Sequence, residues 1–254
     1  MVEEDRSLNV VGVIPARMGS SRFPGKPMAL IRGIPMIGHV YTQSRQSQLL
    51  SDLYVATCDE EIRDYIVSIG GKALMTGSHH PGCVDRCSEA LTQIEQRTGQ
   101  LVDILVIIQG DEPMIQPRMI DQAVEALLID SKACVVNLAA PIETDEEFED
   151  PNCIKVVTSK KGYALYFSRA AIPYRKKTEE KIVGLKQVCV MPFRRDFLIK
   201  FPQFCRTHLE IIESIDMIRA LEHGYPVKIV PTAYQTWSVD TPQDLMKVEQ
   251  LMAP

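Results

Sequence analysis

Three cationic side chains follow an apolar run near the start of the chain. The run covers residues 10–14, and Arg17, Arg22 and Lys26 stand in the segment 15–27 that begins directly after it. Charged side chains without partners are rarely buried, whereas ligands of α/β proteins gather beyond the carboxyl ends of buried strands. The types and spacing of these three residues therefore predict a site for an anion such as a phosphate.

Two glycines in the same segment support this interpretation. Gly19 and Gly25 carry no side chain, so backbone N–H groups near them can approach an anion closely. The segment is not a P-loop, because Gly-x4-Gly-Lys-Ser/Thr is absent, and it lacks the Gly-x-Gly-x-x-Gly fingerprint of dinucleotide sites. The alternative interpretation is a solvated basic loop after a core strand, a common surface feature.

Two acidic residues stand in similar positions further along the chain. Asp111 follows the apolar run 103–108, and Asp240 lies in the segment 238–242 after another apolar stretch. If the strands before these loops and before 15–27 are parallel neighbours, all three loops meet at one edge of the sheet. Cations beside two carboxylates suit a nucleoside triphosphate with Mg²⁺, which prefers one or two carboxylates with phosphate oxygens and water. Taken singly, Asp111 could instead cap the following turn and Asp240 could be a turn residue.

The composition is that of a soluble globular protein. The chain has 254 residues, of which 45% are hydrophobic and 24% are charged. A net charge of −5 argues against a general nucleic-acid surface, so a polyanion site must be local. No apolar run is long enough for a transmembrane helix, and the N-terminal residues lack the apolar stretch of a signal peptide. We therefore expect a cytoplasmic protein with neither a membrane nor a nucleic acid as partner.

The cysteines and histidines form no obvious reactive set. The chain has seven cysteines, an odd number without a Cys-x-x-Cys pair, which favours reduced thiols. Cys83 and Cys87 are four residues apart, but without a second pair a metal site there is not favoured. His79 and His80 either contact a ligand or form a polar pair in the loop 76–86, and the second interpretation is favoured.

Strands alternate with helices through the first 140 residues. The predicted strands after the first are 53–57, 72–75, 103–108 and 133–139, and the predicted helices are 34–50, 60–69, 87–97 and 119–130. This alternation predicts βαβ units, a parallel sheet and right-handed crossovers.

The second half of the chain is less regular. Its predicted elements are a solvated acidic run at 145–150, a hairpin of 154–158 with 163–168, a polar loop at 175–181, a strand at 186–193, a helix at 210–222, strands at 226–230 and 234–239, and a helix at 242–251 capped by Thr241. We interpret 141–205 as an excursion from the main sheet. No repeat or linker interrupts the chain, which favours one domain over residues 1–254.

The motifs of the whole chain resemble those of the 3-deoxy-manno-octulosonate (Kdo) cytidylyltransferases. They are Ile-Pro-Ala-Arg with Arg-x-Pro-Gly-Lys-Pro (14–27), Val-Ala-Thr-x-Asp (55–59), His-Pro-x-x-x-Asp-Arg (80–86), Gln-Gly-Asp-Glu-Pro (109–113), Pro-Asn-x-x-Lys-Val (151–156), Tyr-Phe-Ser-Arg-x-x-Ile-Pro (166–173), Arg-Ala-Leu-Glu-x-Gly (219–224) and Val-Asp-Thr-Pro-x-Asp-Leu (239–245). No single motif is specific, but the ordered set is highly specific for this family.

The resemblance implies a fold, a partner and a reaction. The fold is the three-layer α/β/α nucleotide-diphospho-sugar transferase fold, with a mostly parallel central sheet and a β-rich excursion, about 141–205, that builds much of a homodimer contact. The reaction joins CMP from CTP to a small acidic acceptor, Kdo or a related keto-sugar acid, and releases pyrophosphate. Mg²⁺ is the implied cofactor, and positioning with charge stabilisation is the implied mode of catalysis.

The resemblance also assigns residues to roles. The catalytic set is Arg17, Lys26, Asp111 and Asp240, of which Asp111 and Asp240 hold the metal. The nucleotide-binding set is Ala16, Arg17, Ser20, Arg22, Lys26, Gly82, Cys83, Asp85 and Arg86. The acceptor-binding set is Gln109, Arg169, Gln187, Met191 and Asp216.

The chain departs from the family pattern mainly in the acceptor half. Gly82 and Cys83 replace a Ser-Gly pair that approaches the base in relatives. Residues 186–191 read Lys-Gln-Val-Cys-Val-Met where the family has Lys-His-Ile-Gly-Ile-Tyr, and Asp216 replaces a glutamate. Sites that hydrogen-bond particular hydroxyls discriminate strongly, so these changes indicate a different acceptor.

Three hypotheses follow. The first is a cytidylyltransferase that acts on Kdo, and the second is the same chemistry on another keto-sugar acid or on an acidic molecule such as a phosphonate. The third is a nucleotide-binding module without activity, which is disfavoured because Asp111 and Asp240 are both present.

Overall fold

The computed structural model describes residues 8–19, 22–174 and 184–252. One large sheet forms its centre, and helices pack on both faces. Alternate residues of the first strand, such as Val13 and Ile14, enter two separate hydrophobic clusters, one on each face. The predicted three-layer α/β/α arrangement is confirmed.

The strands and helices are numbered in chain order. The strands are β1 (Val10–Ala16), β2 (Leu30–Ile31), β3 (Ile34–Pro35), β4 (Asp52–Thr57), β5 (Lys72–Met75), β6 (Ile104–Ile108), β7 (Val135–Pro141), β8 (Lys155–Thr158), β9 (Ala164–Ser168), β10 (Leu185–Val188), β11 (Val190–Arg194) and β12 (Val227–Pro231). The helices are α1 (Met36–Ser44), α2 (Glu60–Ser68), α3 (Cys83–Thr98), α4 (Pro117–Ile129), α5 (Asp145–Glu149), α6 (Arg195–Lys200), α7 (His208–Glu213), α8 (Asp216–Glu222) and α9 (Pro242–Leu251).

The strand order of the sheet is β5-β4-β1-β6-β11-β7-β10-β8-β9, and β12 pairs with the other side of β7. The pairing directions show that β9, β10 and β11 run against the remaining strands, so the sheet is mixed but mostly parallel. β1 and β6 are parallel neighbours, with Val13 opposite Ile107. Their carboxyl ends therefore lie side by side, as the apolar runs predicted.

Several predicted boundaries were wrong. The helix predicted from residue 34 to 50 begins at Met36 and ends at Ser44, and α3 begins at Cys83 rather than at residue 87. The solvated acidic run at 145–150, for which no helix was predicted, contains the short helix α5. Its N-terminus is stabilised because the Thr144 side chain accepts a hydrogen bond from the backbone N–H of Glu147.

The region 141–205 is not separate from the main sheet. β11 lies between β6 and β7, so this region completes the centre of the sheet. The predicted strand 186–193 is divided at Cys189 into β10 and β11, which both pair with β7 in the antiparallel direction. On their other side, β10 pairs with β8 and β11 pairs with β6. The hairpin predicted for 154–168 is confirmed as β8 and β9.

Two further predictions near the C-terminus were wrong. The predicted helix 210–222 is two helices, because Ser214 adopts a left-handed conformation with φ of 54° between α7 and α8. The predicted strand 234–239 is irregular chain.

Ser20 and the loop predicted at 175–181 lie outside the described residues.

Two general predictions can be compared with the fold. All seven cysteines are free, as expected for reduced thiols. Across residues 8–19, 22–174 and 184–252, no helix is long and apolar enough to cross a membrane.

Candidate active site

The carboxyl ends of β1 and β6 support a cation between two carboxylates. Gly25, in the left-handed conformation with φ of 74°, leads into a short 3-10 turn that begins at Lys26. The Lys26 ammonium donates hydrogen bonds to Asp111 Oδ2 at 2.9 Å and to Asp240 Oδ1 at 3.1 Å. Burial alone would lower the pKa of Lys26, but the two carboxylates outweigh it and raise that pKa. The lysine is therefore a fixed positive charge.

Asp240 reaches this edge by a route that differs from the predicted one. β12 ends at Pro231, and residues 232–239 that lead to Asp240 are irregular. Instead, the backbone N–H of Val239 donates a 2.9 Å hydrogen bond to the carbonyl oxygen of Asp111. The Thr241 side chain then begins α9 in a capping box with Asp244. One main-chain bond thus sets Asp240 beside Asp111, and the predicted neighbourhood forms without the predicted strand.

The two arginines of the loop extend the positive charge toward solvent. Arg22 donates to Asp240 Oδ1 at 3.0 Å and also to Asn152 Oδ1. Arg17 is exposed, and it makes no hydrogen bond or ion pair to any described residue. The loop itself is held in place because the backbone N–H of Met18 donates to Asp59 at 2.8 Å. Arg17 is thus a cation available to a ligand.

Two adjoining clefts open at this edge. The smaller, of about 340 Å³, is lined by the basic loop, and Ala16, Arg17, Arg22 and Lys26 all border it. The larger, of about 450 Å³, extends toward β10, β11 and α8. Asp111 lines both clefts, so the lysine–carboxylate cluster stands where they meet.

The N-terminus of α3 forms another part of the shared wall. Gly82 and Cys83 line both clefts. Asp216 accepts hydrogen bonds from the Val84 backbone N–H at 3.2 Å and from the Cys83 thiol at 3.3 Å. A Cβ on Gly82 would stand 2.6 Å from Asp216 Oδ1, so a side chain at position 82 would displace this carboxylate. The absence of a side chain at Gly82 therefore lets the Asp216 carboxylate lie against the start of α3.

The structure gives Asp85 a different role from the predicted nucleotide contact. Asp85 is buried in the first turn of α3, and its two oxygens accept from Arg219 at 3.1 and 3.2 Å. It lines neither cleft. Arg86 does border the smaller cleft, where it donates to Thr76 at 2.6 Å. His80 was predicted either to contact a ligand or to belong to a polar pair in its loop. It borders the smaller cleft, and its ring nitrogen is hydrogen-bonded to Glu89.

The predicted acceptor residues all line the larger cleft. They are Gln109, Arg169, Gln187, Met191 and Asp216. Gln109 donates to the Cys83 sulfur at 3.3 Å. The Arg169 guanidinium donates to the carbonyl oxygens of Glu213 (2.7 Å) and Ser214 (3.4 Å) and, at 2.9 Å, to that of Pro151, so it ties the cleft rim together.

The cysteines that line the larger cleft are unsuited to thiolate chemistry. Burial raises the pKa of Cys83 and of Cys189 well above the usual range, and negative neighbours raise it further. Burial also raises the pKa of Cys153 to about 11. Thiols of this kind stay protonated at neutral pH and do not act as nucleophiles. The cleft therefore fits chemistry in which the bound molecules supply the nucleophile.

A cationic and aromatic group that was not predicted from the sequence also lines the larger cleft. The single tryptophan, Trp237, lies there with the Lys247 ammonium 4.1 Å from its ring centroid and that of Lys186 5.7 Å away. Lys186 also pairs with Glu147 at 2.6 Å. A lone tryptophan in a polar stretch was the available signal, because amphipathic rings favour partly exposed sites.

Sheet, loop and cation–carboxylate cluster together define a nucleotide-binding α/β protein. A sequence profile of the family described as cytidylyltransferase matches residues 11–229, so the chain belongs to the cytidylyltransferase family. It is 41% identical to the 3-deoxy-manno-octulosonate cytidylyltransferase of Geotalea uraniireducens over 251 residues, which covers 95% of this chain and 98% of that protein. It is 37% identical to the protein of the same name from Geobacter metallireducens, with 97% and 98% covered.

A solved structure agrees with these relatives. The structure of CMP:2-keto-3-deoxy-manno-octonic acid synthetase complexed with CTP matches with a TM-score of 0.86 and 38% identity, over 96% of this chain and 98% of that one. The predictions of the family, of the fold and of a CTP-dependent nucleotidyltransferase are therefore confirmed.

Proposed function

We propose that the protein transfers CMP from CTP to Kdo or to a closely related keto-sugar acid and releases pyrophosphate. The observation that carries the proposal is the Lys26–Asp111–Asp240 cluster at the meeting point of two clefts. The smaller cleft has the cations that a triphosphate needs, and the larger has room and polar groups for a second substrate. The names of the relatives and of the matching structure support the choice of substrates.

The basic loop holds the triphosphate in this proposal. Arg17 and Arg22 contact the outer phosphates, because guanidinium groups match phosphate geometry, and Lys26 adds a fixed charge near the α-phosphate. The N-terminus of α3, with Gly82 and Cys83, lies beside the base. These groups act by position and charge, which is how most phosphoryl-transfer enzymes accelerate the reaction.

Asp111 and Asp240 fit a divalent cation, which we propose to be Mg²⁺. Both are ionisable oxygen donors at the cleft surface, with side-chain exposures of 23% and 13%. Within the described chain no cluster of three or more His, Cys, Asp or Glu side chains could hold a metal unaided, so phosphate oxygens and water complete the shell. When bound, the cation neutralises charge on the phosphates.

The reaction balances without a covalent enzyme intermediate. A hydroxyl oxygen of the acceptor forms a bond to the α-phosphorus, the bond from that phosphorus to the bridging oxygen breaks, and pyrophosphate leaves. Lys26 stabilises the negative charge that grows at the phosphorus. The hydroxyl proton passes to a nearby carboxylate or to water.

The pocket changes at 187, 189 and 191 leave a second acceptor possible, namely an acid other than Kdo such as a phosphonate. A glutamine, a cysteine and a methionine line the larger cleft where the family pattern has histidine, glycine and tyrosine. These substitutions change the hydrogen bonds available to a substrate, which alters selectivity strongly.

An acceptor panel tests the proposal. With CTP and Mg²⁺, pyrophosphate release is expected with Kdo or another keto-sugar acid, and the other nucleoside triphosphates should support much less. A phosphonate as the preferred acceptor would favour the second candidate. No release with any acid, although CTP binds, would contradict both and favour a binding module.

We also propose that the protein is a homodimer. Large apolar side chains are exposed on β9 and α7, namely Leu165, Leu209, Ile211 and Ile212. Contiguous exposed apolar surface commonly marks an interface between chains. Light scattering is expected to give twice the chain mass, and Ile212→Glu should shift it toward the monomer. A monomeric unmodified protein would contradict this proposal.

The free cysteines support a reducing compartment, and we propose the cytoplasm.

A further inference from the structure

A buried asparagine lies directly behind the acceptor side of the larger cleft. Asn137 is in the middle of β7 and is fully buried. Its side-chain nitrogen donates hydrogen bonds to the carbonyl oxygens of Leu138 at 2.6 Å and Val188 at 2.9 Å. Carbonyl oxygens only accept, so the asparagine nitrogen must face them. The asparagine oxygen is therefore fixed on the opposite side.

This orientation determines the next amide in turn. Gln187 donates from its side-chain nitrogen to Asn137 Oδ1, and the same nitrogen lies 3.9 Å from the Met191 sulfur. Since Asn137 Oδ1 can only accept, Gln187 must present its nitrogen to it, and the flipped amide would place two oxygens against each other. Both side-chain N–H groups of Gln187 are thus directed into the protein.

The remaining polar atom of Gln187 is its carbonyl oxygen, Oε1. It has no hydrogen-bond partner among the described residues, and the only buried side-chain polar atom there without a partner is Ser44 Oγ. Gln187 Oε1 is therefore accessible, and Gln187 lines the larger cleft. The neighbouring Met191 is buried and has no group that donates, so it cannot change the character of this wall.

We propose that Asn137 is a positioning residue that turns Gln187 Oε1 into the cleft, so that this wall selects an acceptor with a hydroxyl that donates to it. The proposal rests on the proposed function. A carboxylate, phosphonate or keto oxygen at the same place would face another lone pair and be disfavoured. The substrate class is therefore an acid that carries a hydroxyl toward this wall and whose anionic group points away from Gln187.

Substrate analogues test the direction of this hydrogen bond in the unmodified protein. The probes are Kdo and its single-position deoxy and deoxyfluoro analogues, each with CTP and Mg²⁺. Fluorine cannot donate, so at one position both analogues are expected to lose about tenfold in kcat/KM, the effect of one hydrogen bond. If the deoxyfluoro analogue retains activity wherever the deoxy analogue loses it, or if no position matters, the proposal is overturned.

Variants test the positioning role separately from a structural one. Gln187→Met is expected to raise the KM for the acid about tenfold and to leave kcat and the KM for CTP within about twofold. Asn137→Ala should cause the same change, and the double variant should be no worse, because both remove one interaction. Additive losses, or a fall in kcat alone, would contradict the proposal. Asn137→Ser is the substitute if Asn137→Ala does not fold.

A measurement without turnover separates this inference from the proposed function. In the NMR spectrum of the nitrogen-15-labelled protein, the Gln187 side-chain N–H₂ signal is assigned by its loss in Gln187→Met. Slow exchange of these protons with solvent, which becomes fast in Asn137→Ser, is the expected result. Exchange as fast as that of exposed glutamines would overturn the inference, even if every acid were turned over; lack of turnover alone would count only against the proposed function.

Discussion

Asp111→Asn is expected to lower kcat about a thousandfold, because a bound divalent cation supplies several kcal/mol of charge stabilisation and each 1.4 kcal/mol is tenfold in rate. The substitution keeps the shape of the side chain but removes its charge. Lys26 retains Asp240 as a partner at 3.1 Å. The main-chain bond from Val239 to the Asp111 carbonyl oxygen also remains, so Asp240 stays in place. The fold and the affinity for CTP should therefore change little.

Steady-state pyrophosphate release at saturating CTP and Mg²⁺ measures this effect. Asp196→Asn is the matched control, because the Asp196 side chain is 95% exposed and forms its ion pair with Arg195. Neither residue lines one of the two clefts. It is expected to leave kcat unchanged. If Asp111→Asn retained kcat within about tenfold while still folded, Asp111 would not hold the cation assigned to it.

The placement of the basic loop beside Asp111 could be predicted from the sequence because its signals are local. The apolar run before Arg17 and the run before Asp111 are both buried strands, and parallel pairing brings their ends together. Gly25 marks the left-handed turn that delivers Lys26. In each case a short stretch of sequence determines both the element and the direction of the side chain.

The residues around the larger cleft could be named from the sequence, but the geometry of that cleft could not be predicted because long-range contacts determine it. Nothing local indicates that Ser214 adopts a left-handed conformation, which separates α7 from α8 and exposes two carbonyls to Arg169. The break at Cys189 depends on β7 pairing with two different strands on one side. The orientation of Gln187 is fixed by Asn137, which is 50 residues away in the chain.

Asp85 shows how a residue of a motif beside a cleft can face the interior of the protein. It belongs to a family motif beside the nucleotide cleft, so a ligand contact was predicted. Its carboxylate instead faces Arg219, and the Arg219 guanidinium also donates to Glu210 at 2.9 and 2.6 Å. Arg219 and Glu210 are each only 1% exposed in their side chains. The motif thus serves a buried ion network that joins α3 to α7 and α8.

Arg219→Met is expected to lower the free energy of unfolding by about 3–5 kcal/mol, because it leaves the buried Asp85 without the cation it faces and leaves the buried Glu210 with Arg206 as its one cation, at 3.1 Å. Methionine keeps the apolar contact with the Phe201 ring, which lies 4.5 Å from the guanidinium carbon, so the loss reports mainly the charges. Arg219→Lys keeps the charge but not the bidentate geometry of the guanidinium, so its free energy of unfolding should lie between those of the unmodified protein and Arg219→Met. Urea unfolding at one fixed protein concentration, followed by circular dichroism, measures both.

The loss in the free energy of unfolding that Arg219→Met causes should become smaller as the pH falls. Burial alone would raise the pKa of Glu210, but the hydrogen bonds and charges of Arg219 and Arg206 outweigh it and lower that pKa. A depressed carboxylate pKa contributes stability that is present above its unfolded value of 4.5 and is lost as pH falls through the folded value. Without Arg219, Arg206 alone opposes the effect of burial, so the pKa of Glu210 is lowered less, Glu210 protonates at a higher pH, and its poorly compensated charge disappears in acid.

A surface pair provides the matched control for this network. Arg118 and Glu125 form a two-bond pair at 2.7 and 3.0 Å, but their side chains are 56% and 43% exposed. Arg118→Met is expected to leave the free energy of unfolding almost unchanged at any pH, because water screens such pairs. If Arg219→Met cost no more than this control, the buried network would not hold α3 against α8. Since α3 begins at Cys83, which lines both clefts, a loosened network should also raise the KM for CTP.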